Sequence, residues 1–398
     1  MSSPPRVAHV TTIDLTLRKL LLAQLCRLRD DGFEVYGISA PGPSVPALEA
    51  EGIQHVPWPH ATRSWAPRAD ARAFKELVSI FRTHRFDLVH LHNPKPGVIG
   101  RMAGRIARVP CVMSTSHGIY ATPDDRLAKR AAVLGLEALA ARCSDLDLYQ
   151  SHEDLQWVRR RRVATESRSE LLGNGIDLTS FDPARITSSE RASVRAGLGI
   201  PEGALVVGTI GRLVEEKGYR ELMVAVRELL AERDDMVMLV VGEDDPEKAD
   251  ALGHAEIEGE GVICSGWRED VPELLSIMDV FVLASWREGM PRSAIEAAAM
   301  GKPLVLTDIR GCREVVSNGI EGLLVPVRDP GALRSAIASL LDDAEARARM
   351  GSAARRRALE WFDEQRVTDH VALRTRELLA RKGVALPHRP DVTLPEAQ

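Results

Sequence analysis

The chain has 398 residues, of which 44% are hydrophobic and 27% charged, and its formal net charge is −5. These values exclude a collagen-like, a disordered and a disulfide-stapled small protein, and they are typical of a globular chain of two domains. The near balance of 52 basic and 57 acidic residues gives no reason to expect a nucleic-acid partner.

The cysteines and the apolar segments indicate the compartment. Five cysteines are scattered along the chain without a C-x-x-C pair, which is typical of buried thiols in a reducing compartment rather than of disulfides or a zinc site. The first residues contain no apolar signal core, and the most apolar helical segment, 131–141, is short and contains Glu137. We therefore expect a cytoplasmic protein without a membrane span.

Short β-rich apolar runs alternate with amphipathic helical segments along the whole chain. The runs in the first half are 7–11, 34–39, 88–92, 111–115 and 146–150. Those in the second half are 206–210, 237–241, 262–265, 280–284 and 304–307. Strands buried on both faces and separated by helices form parallel sheets. The two sets therefore predict two Rossmann-like, doubly wound α/β domains that face each other across a cleft.

A turn-rich segment between residues 177 and 201 predicts the domain boundary. We expect a first domain at 1–185 and a second at 186–361. A helix at 362–383 is expected to pack back on the first domain, and 384–398 to form a frayed tail. Near the end of the second domain, Asp329 is predicted to cap a helix whose first residue is Pro330.

The charge is divided unequally between these domains. Residues 1–185 carry 25 basic and 20 acidic residues, the remainder carries 27 and 37, and eight of the 11 histidines lie in the first part. Such a split suggests two domains with different ligands, with a chance division of solvated surfaces as the alternative.

The segment 285–301 holds the richest pattern of candidate ligand-binding residues. Gly289 allows the backbone to approach a ligand closely, and Pro291 suits the first position of a helix. The free N–H groups of a helix start form an anion site. Glu288 and Glu296 bracket that site, where carboxylates could accept hydrogen bonds from hydroxyl groups on either side of a phosphate. The alternative is that Glu288 only caps the helix and Glu296 lies on the surface.

A second strand-to-helix turn, 208–218, carries two cations. Arg212 ends the strand, and Lys217 opens the next helix. A guanidinium fork and an ammonium point charge at such a turn suit a diphosphate. The segment is not a P-loop, because G-x-x-x-x-G-K-[ST] is absent. The alternative is a solvated turn in which Lys217 pairs with Glu215 or Glu221.

Five motifs in order make the chain resemble the family 4 glycosyltransferases of the GT-B fold. They are G-N-G-I-D at 173–177, G-R-L-V-E-E-K-G at 211–218, S-G-W-R-E-D-V-P-E-L-L at 265–275, the E-x7-E pair Glu288 and Glu296, and G-L-L-V-P at 322–326. Together they cover the second half densely. The runs P-K-P-G at 94–97 and T-D-I-R-G-C-R-E at 307–314 are similar to segments of bacterial enzymes of surface-polysaccharide or glycan assembly.

The resemblance implies transfer of a hexosyl or N-acetylhexosaminyl group from a nucleotide diphosphate sugar, expected to be a UDP-sugar, with retention of anomeric configuration. It implies no metal or other cofactor and a lipid-linked or small glycoside acceptor. By position, Arg212 and Lys217 hold the diphosphate leaving group, Glu296 binds the donor ribose, and Glu288 binds hydroxyls of the transferred sugar. The remaining donor contacts implied are the backbone of Gly289, Met290 and Pro291 with the sugar and phosphate, and Gly266 and Arg268 with the base.

In the first half, His117 followed by Gly118 is similar to the family's active-site His-Gly, whose histidine contacts the transferred sugar. A histidine at a strand end can also be a buried hydrogen-bonding residue. The loop 11–18 lacks the glycines that the family often has there, so loop–phosphate contacts are not carried over. Asp14 in this loop either contacts acceptor or sugar, or caps the helix that follows.

Four further features have alternative interpretations. His90 and His92 project together, but no third ligand is evident, so a metal is not expected. Lys95 could meet an anionic acceptor. The D-x-D at 145–147 imitates a metal motif of the other glycosyltransferase fold, but it begins a buried strand and is given no metal role. The arginines 159–162 form a solvated helix face or contact anionic lipid headgroups at the membrane surface.

Other functional classes fit the residues less well. A nicotinamide-dependent oxidoreductase is disfavoured because no G-x-G-x-x-G follows a strand. A UDP-sugar 2-epimerase-like enzyme would share the fold but need a different set of acids. A non-catalytic nucleotide-sugar-binding protein is the remaining alternative, against which the intact cations and acids argue.

Overall fold

The computed structural model describes residues 3–63, 65–92, 94–119, 126–245, 248 and 250–387. The chain forms two compact units: a first unit of Met1–Gly173 with Gln365–Gln398, and a second unit of Asn174–Glu364. The structure therefore divides the chain twelve residues before the predicted position after residue 185. The reason is packing, because Ile176 and Phe181 are buried in the core of the second unit.

The first unit contains a parallel sheet of seven strands in the order β3-β2-β1-β4-β5-β6-β7. The strands are β1 (Arg6–Ile13), β2 (Glu34–Ala40), β3 (Gln54–Pro57), β4 (Leu88–His92), β5 (Cys111–Ser116), β6 (Leu146–Tyr149) and β7 (Ser169–Leu171). The helices are α1 (Asp14–Thr16), α2 (Leu22–Asp30), α3 (Val45–Ala50), α4 (Pro67–His84), α5 (Arg101–Ala107), α6 (Leu127–Ala141) and α7 (His152–Arg160). Short π-helical stretches, Leu17–Leu21 and Pro96–Gly100, precede α2 and α5.

The second unit contains a parallel sheet of six strands in the order β10-β9-β8-β11-β12-β13. The strands are β8 (Leu205–Ile210), β9 (Met236–Val241), β10 (Val262–Cys264), β11 (Val280–Leu283), β12 (Leu304–Thr307) and β13 (Gly322–Val325). The helices are α8 (Ser188–Gly197), α9 (Tyr219–Glu232), α10 (His254–Ile257), α11 (Val271–Ser276), α12 (Arg292–Ala299), α13 (Arg310–Val315), α14 (Pro330–Asp342) and α15 (Ala344–Trp361). As predicted, Asp329 caps α14 by accepting a hydrogen bond from the N–H of Ala332, at 2.9 Å.

Each sheet is buried on both sides, because successive apolar residues of its strands face alternately toward two separate cores. In the first unit, Val7 and Leu88 face one core and Ala8 and Val89 face the other. The last helix, α16 (Glu364–Arg381), covers the first of these faces and contributes Val371 to its core. The chain thus returns to the first unit because α16 carries an apolar stripe that this face buries.

The end of the chain is only partly described. Within the segment 384–398, which the sequence predicts to fray, Val384 and Leu386 pack against the core of the first unit. The rest of that segment, from residue 388 onward, lies outside the described residues. Among the helices that the structure describes, none combines the length and apolar character needed to cross a bilayer.

The order of strands reverses once in each sheet, between β1 and β4 and between β8 and β11. At such a reversal the connections leave toward opposite faces, so a crevice opens outside the carboxyl ends of the two strands. Open parallel sheets bind their ligands there. Two positions therefore have the strongest claim to function, the residues that follow β8 and β11 and those at the ends of β1 and β4.

Candidate functional site

The loops that follow β8 and β11 lie against each other. Gly218, which closes the 3₁₀ turn Glu215–Lys217, has φ +71°, and a Cβ there would lie 2.0 Å from the carbonyl oxygen of Ala284. Only glycine permits this approach. The N–H of Trp286 also donates to the carbonyl oxygen of Glu216, at 2.8 Å. The end of β11 therefore fixes where the turn after β8 places its side chains.

Lys217 and Glu288 meet at this junction. Lys217 Nζ lies 2.5 Å from Glu288 Oε1, and the hydroxyl of Ser285 donates to the same oxygen at 2.7 Å. The Lys217 and Glu288 side chains are 19% and 13% exposed. The alternative interpretations are wrong in both cases: Lys217 pairs with neither Glu215 nor Glu221, and Glu288 makes its contacts here rather than capping a helix.

Arg212 lies on the open side of the same turn. Its guanidinium donates to Asp245 Oδ2 at 2.7 Å and approaches Glu216 at 4.0 Å, and its side chain is 44% exposed. Glu216 is itself held by Arg287, at 2.7 Å. Asp245, which sequence reasoning missed, thus balances a cation that remains accessible to a larger anion.

The backbone of Gly289, Met290 and Pro291 is held from two sides. Asn174 Nδ2 donates to the carbonyl oxygen of Met290 at 3.3 Å. A Cβ on Gly311 would lie 2.5 Å from the carbonyl oxygen of Gly289, so α13 packs closely under the loop. Pro291 is the residue before the helix, with ψ 108°, and not its first residue as predicted, since α12 begins at Arg292.

Glu296 lies one turn into α12 and is mostly buried, with 13% of its side chain exposed. Arg292 Nε lies 3.0 Å from Glu296 Oε1, and Arg292 NH1 lies 3.9 Å from Glu364. Burial raises the pKa of the Glu296 carboxyl, while Arg292 opposes that shift. The interpretation of Glu296 as a simple surface residue is wrong.

Gly266 and Arg268 follow β10, which is separated from β11 by β9 and β8. Gly266 has φ +67° and accepts a hydrogen bond from the N–H of Gly242, at 3.0 Å. The Arg268 guanidinium makes two contacts with the Asp270 carboxylate, at 2.7 and 2.5 Å. The loop after β10 is thereby tied to the end of β9, beside the turn that carries Arg212.

In the first unit, His117 follows β5 and lies beside two other histidines. His117 Nε2 lies 3.2 Å from His92 Nδ1, and His92 Nε2 lies 3.0 Å from His9 Nδ1. Burial lowers the pKa of His117 to about 4 and that of His9 to about 3. His9 was missed in the sequence, although it lies on β1 directly opposite His90 on β4.

The described residues contain one group of three side chains suited to a metal ion. His9, His90 and His92 are fully buried, and one ring nitrogen of each lies within 4.8 Å of the others. The expectation that no third ligand accompanies His90 and His92 is therefore wrong, because adjacent parallel strands bring His9 to the same place. All three side chains of this group are imidazoles, and the group contains no carboxylate.

Asp14 does not cap the helix that follows it. It is the first residue of α1, it is buried, and its Oδ2 accepts a hydrogen bond from the N–H of Ser44 at 2.6 Å. A Cβ on Gly42 would lie 2.4 Å from Asp14 Oδ1. Asp14 therefore fixes the loop after β2 against the end of β1.

Two other polar features of the first unit are used internally, and of the arginines 159–162 only Arg159 is, because the other three are exposed. Lys95 is 3% exposed and pairs with Asp70 at 2.5 Å, so it does not face outward as an acceptor contact would require. Asp147 pairs with Arg101 at 3.2 Å, in agreement with a structural role for the D-x-D. In the 159–162 run, Arg159 donates to the hydroxyl of Ser169 at 3.0 Å.

Two family models match the chain, one for each unit. The model described as "Glycosyltransferase Family 4" matches residues 20–180, and that described as "Glycosyl transferases group 1" matches residues 190–357. The chain is a family 4 glycosyltransferase of the GT-B type. Its relatives place it among the glycosyltransferases of polysaccharide and glycan biosynthesis.

Individual relatives are similar over most of their length. A UDP-Gal:alpha-D-GlcNAc-diphosphoundecaprenol alpha-1,3-galactosyltransferase of Escherichia coli is 27% identical, over 85% of this chain and 88% of its own. An N,N'-diacetylbacillosaminyl-diphospho-undecaprenol alpha-1,3-N-acetylgalactosaminyltransferase of Campylobacter jejuni is 25% identical, over 85% and 89%. The crystal structure of Anabaena Alr3699/HepE in complex with UDP and glucose has a TM-score of 0.76 at 20% identity and covers 94% of this chain and 100% of that one, which shows the shared fold.

Proposed function

We propose that this glycosyltransferase transfers a sugar from a UDP-sugar to a lipid-linked or small glycoside acceptor, with retention of configuration and without a metal. The observation that carries the proposal is the junction at the switch point of the second unit, where Lys217, Glu288 and the backbone of 289–291 converge. Positive, polar and close-approach backbone groups at one such position suit a sugar diphosphate.

The two cations act on the leaving group. Departure of the nucleoside diphosphate places negative charge on its oxygens, and cations fixed in advance lower that barrier most. An ammonium has three N–H donors, so Lys217 can keep its contact with Glu288 while it donates to a phosphate oxygen. The Arg212 side chain is partly exposed, so its guanidinium can donate two hydrogen bonds to the second phosphate while it shares its remaining contact with Asp245.

The carboxylates and loops hold the rest of the donor. Glu296, mostly buried beside Arg292, is assigned the ribose hydroxyls, and Glu288 the hydroxyls of the transferred sugar. Gly289, Met290 and Pro291 offer backbone to the sugar and phosphate. Gly266 and Arg268, beside the turn of Arg212, are assigned the base.

Retention follows if the acceptor hydroxyl attacks on the face that the phosphate leaves. The acceptor proton then passes toward the departing phosphate oxygen, and no protein nucleophile is required. In the first unit, His117 is the candidate for contact with a sugar, while Asp14, buried and bonded to Ser44, is left with a supporting role.

The acceptor class is supported by the relatives. Two of them are named for transfer to diphosphoundecaprenol-linked sugars, and lipid-linked acceptors are presented at a membrane surface. Contact of this chain with anionic lipid remains a prediction. Flotation with anionic and with neutral liposomes at low salt tests it, and failure to float with either removes it.

A screen of nucleotide-sugars tests the donor. A UDP-sugar at one hundred times its Kd is expected to stabilise the fold by about 2.7 kcal/mol, seen as a higher melting temperature. Product analysis with the best donor then gives the anomeric configuration. No shift with any nucleoside diphosphate contradicts the donor, and an inverted product contradicts retention.

The variant Glu296→Gln tests the ribose contact. We expect sharply reduced transfer with an unchanged melting temperature, because the amide is isosteric but accepts fewer hydrogen bonds. Glu258→Gln, on the loop after α10, is the matched control and is expected to keep full activity. Release of an epimerised UDP-sugar without acceptor indicates an epimerase instead, and binding without turnover a non-catalytic protein.

A further inference from the structure

Three histidines of the first unit form a hydrogen-bonded row that ends at His117. His9 Nδ1 lies 3.0 Å from His92 Nε2, and His92 Nδ1 lies 3.2 Å from His117 Nε2. His9 and His92 are fully buried, whereas His117 is half-buried at the carboxyl end of β5. The row thus connects the interior of the sheet with the candidate sugar-contacting residue, and the proposed function uses only its outer member.

A hydrogen bond between two neutral imidazoles needs an N–H on one ring and a lone pair on the other, so the row has a direction. All three rings are neutral near pH 7, since burial lowers the pKa of each. A hydrogen bond with the side chain of Gln150 partly opposes that shift at His117. Among the described residues, His9 Nε2 is buried without a hydrogen-bond partner. Buried N–H groups without a partner are rarer than buried acceptors without one, so His9 Nε2 carries the lone pair and the N–H of this ring is on Nδ1.

This assignment determines the other two rings. His117 Nε2 carries a lone pair and accepts from the Nδ1–H of His92, and His92 Nε2 in turn accepts from the Nδ1–H of His9. The remaining N–H of His117 is therefore on Nδ1. Each ring is an Nδ1–H tautomer, the form that histidine populates less in water.

We propose that His92, backed by His9, is a positioning residue that holds His117 in one tautomer and one ring orientation. His117 Nε2 is engaged by His92, so the ring cannot rotate without breaking that hydrogen bond. The effect of His92 on sugar transfer rests on the proposed function, because it presupposes that His117 touches the substrate. The tautomers themselves do not depend on that function.

The overlapping group of His9, His90 and His92 suits a metal ion less well than His9 and His92 suit a hydrogen bond. A divalent cation bound by His9, His90 and His92 would bring two positive charges into a fully buried set that contains no carboxylate. The 3.0 Å separation between His9 Nδ1 and His92 Nε2 is already that of a hydrogen bond. Binding of a metal ion by these histidines would therefore contradict the hydrogen-bonded row.

Nuclear magnetic resonance of the full chain labelled with ¹⁵N-histidine tests the tautomers directly. Ring-nitrogen shifts distinguish N–H from lone-pair nitrogens, and single His→Gln variants assign the rings. At pH 7.5 we expect His9, His92 and His117 as neutral Nδ1–H forms. An Nε2–H or charged His117 overturns the proposal, as does displacement of these signals by stoichiometric Co²⁺ or Zn²⁺.

A pair of variants separates positioning from mere packing. Asparagine places its amide near the position of histidine Nδ1, and glutamine near that of Nε2. H92N is therefore expected to keep the His117 tautomer and to transfer sugar within about 3-fold of the unmodified chain. H92Q is expected to lose the tautomer and about 10-fold in kcat, with the donor KM unchanged.

The control is His152→Gln at the exposed start of α7, which is expected to change neither tautomer nor turnover. Equal loss in H92N and H92Q, at equal thermal stability, shows a packing role and overturns the proposal. If the unmodified chain transfers no sugar, the proposed function fails while the tautomers remain measurable. Correct tautomers with no difference in kcat overturn the positioning role alone.

Discussion

In the first unit, the strands that flank the switch point carry histidines that burial keeps neutral. In the second unit, the equivalent strands are followed by charged side chains that are paired, Lys217 with Glu288, and Arg212 with Asp245 from the loop after β9. The strand topology is alike, and the solvent exposure of the polar groups differs. Groups inside the sheet lose their charge because burial penalises ions, whereas groups on the loops beyond the strand ends keep it.

The two units therefore differ in the kind of ligand group that each is suited to bind. A site that must balance the charge of a diphosphate needs ions at the loops, with backbone close by, as the second unit provides. Neutral hydrogen-bonding groups are suited to orient a neutral sugar or acceptor, and the histidine row of the first unit supplies such groups. Four predictions follow from the contrast, beginning with the largest effect.

Removing the ammonium at the second switch point has the largest expected effect. Lys217→Ala is predicted to reduce transfer about 100-fold or more, because it deletes a cation aimed at the leaving group and leaves Glu288 mostly buried without it. Initial rates with the best donor measure this. The control Lys75→Ala, at an exposed position of α4, should keep full activity, and near-normal transfer by the Lys217 variant would contradict the donor-site assignment.

The close approach of the two loops can be broken at Gly218. Gly218→Ala is predicted to destabilise the fold by about 2–4 kcal/mol, because it combines a left-handed backbone with a clash against the carbonyl of Ala284. Gly203→Ala is the matched control, since Gly203 has φ +78° but no atom within 4 Å of its added Cβ. Its expected cost is about 1 kcal/mol. Equal urea midpoints for the two variants would contradict the close approach of Gly218 to the carbonyl oxygen of Ala284.

The neutral histidines predict how stability depends on pH. The pKa of His9 is lowered to about 3 and that of His117 to about 4, against 6.5 for the unfolded chain. Below pH 6.5 the unfolded chain therefore binds protons that the folded chain does not. Stability falls as the pH decreases from 6.5 toward these values, by up to about 1.4 kcal/mol per pH unit for each ring.

Calorimetric scans between pH 7.5 and 5 measure that slope, and His9→Gln should make it shallower. In the second unit, the pH dependence of stability has the opposite sign, because burial raises the pKa of the Glu296 and Glu364 carboxyls. The folded chain binds protons there first, so these two groups add stability as the pH falls through their folded pKa values. An unchanged slope in the His9 variant would show that the pKa of His9 is not lowered in the folded chain.

The smallest predicted effect concerns Asp245. Asp245→Asn removes the carboxylate that competes with a diphosphate for Arg212, so UDP should bind up to about 5-fold more tightly. The gain is small because Arg212 is 44% exposed and solvent screens the pair. Titration calorimetry measures it, with Asp235→Asn as the control, because Asp235 pairs with Arg233 at the opposite end of β9. Weaker UDP binding in the Asp245 variant would mean that Asp245 orients Arg212 rather than competes for it.

Nine interior strands and the edge strand β10 were predicted from the sequence, whereas the edge strands β3, β7 and β13 were not. Runs such as 237–241 and 280–284 are continuous apolar segments because both faces of a central strand are buried. The strands β3, β7 and β13 lie at the edges of their sheets, where burial is lower and no strong pattern survives. Residues 174–185 were assigned to the first domain because turns alone do not show which core they join.

The candidate site shows the same division. Motif order along the chain was enough to single out Lys217, Glu288 and Glu296 as members of one region. Sequence did not show that Lys217 pairs with Glu288, that Asp245 holds Arg212, or that Lys95 is buried against Asp70. These pairings join residues 25 to 71 positions apart, and spacing along a chain carries no record of which loops a sheet brings together.

By itself, the sequence determined the class of fold, the family and the residues from which a donor site can be built, because alternating burial and local motifs are short-range properties. Tertiary structure alone decided which groups are charged and which are neutral. The histidines at positions 9, 92 and 117 become one hydrogen-bonded row only because β1, β4 and β5 are neighbours in the sheet. Their neutrality is a consequence of that burial, since an imidazole in water at the same position in the sequence would titrate near pH 6.5.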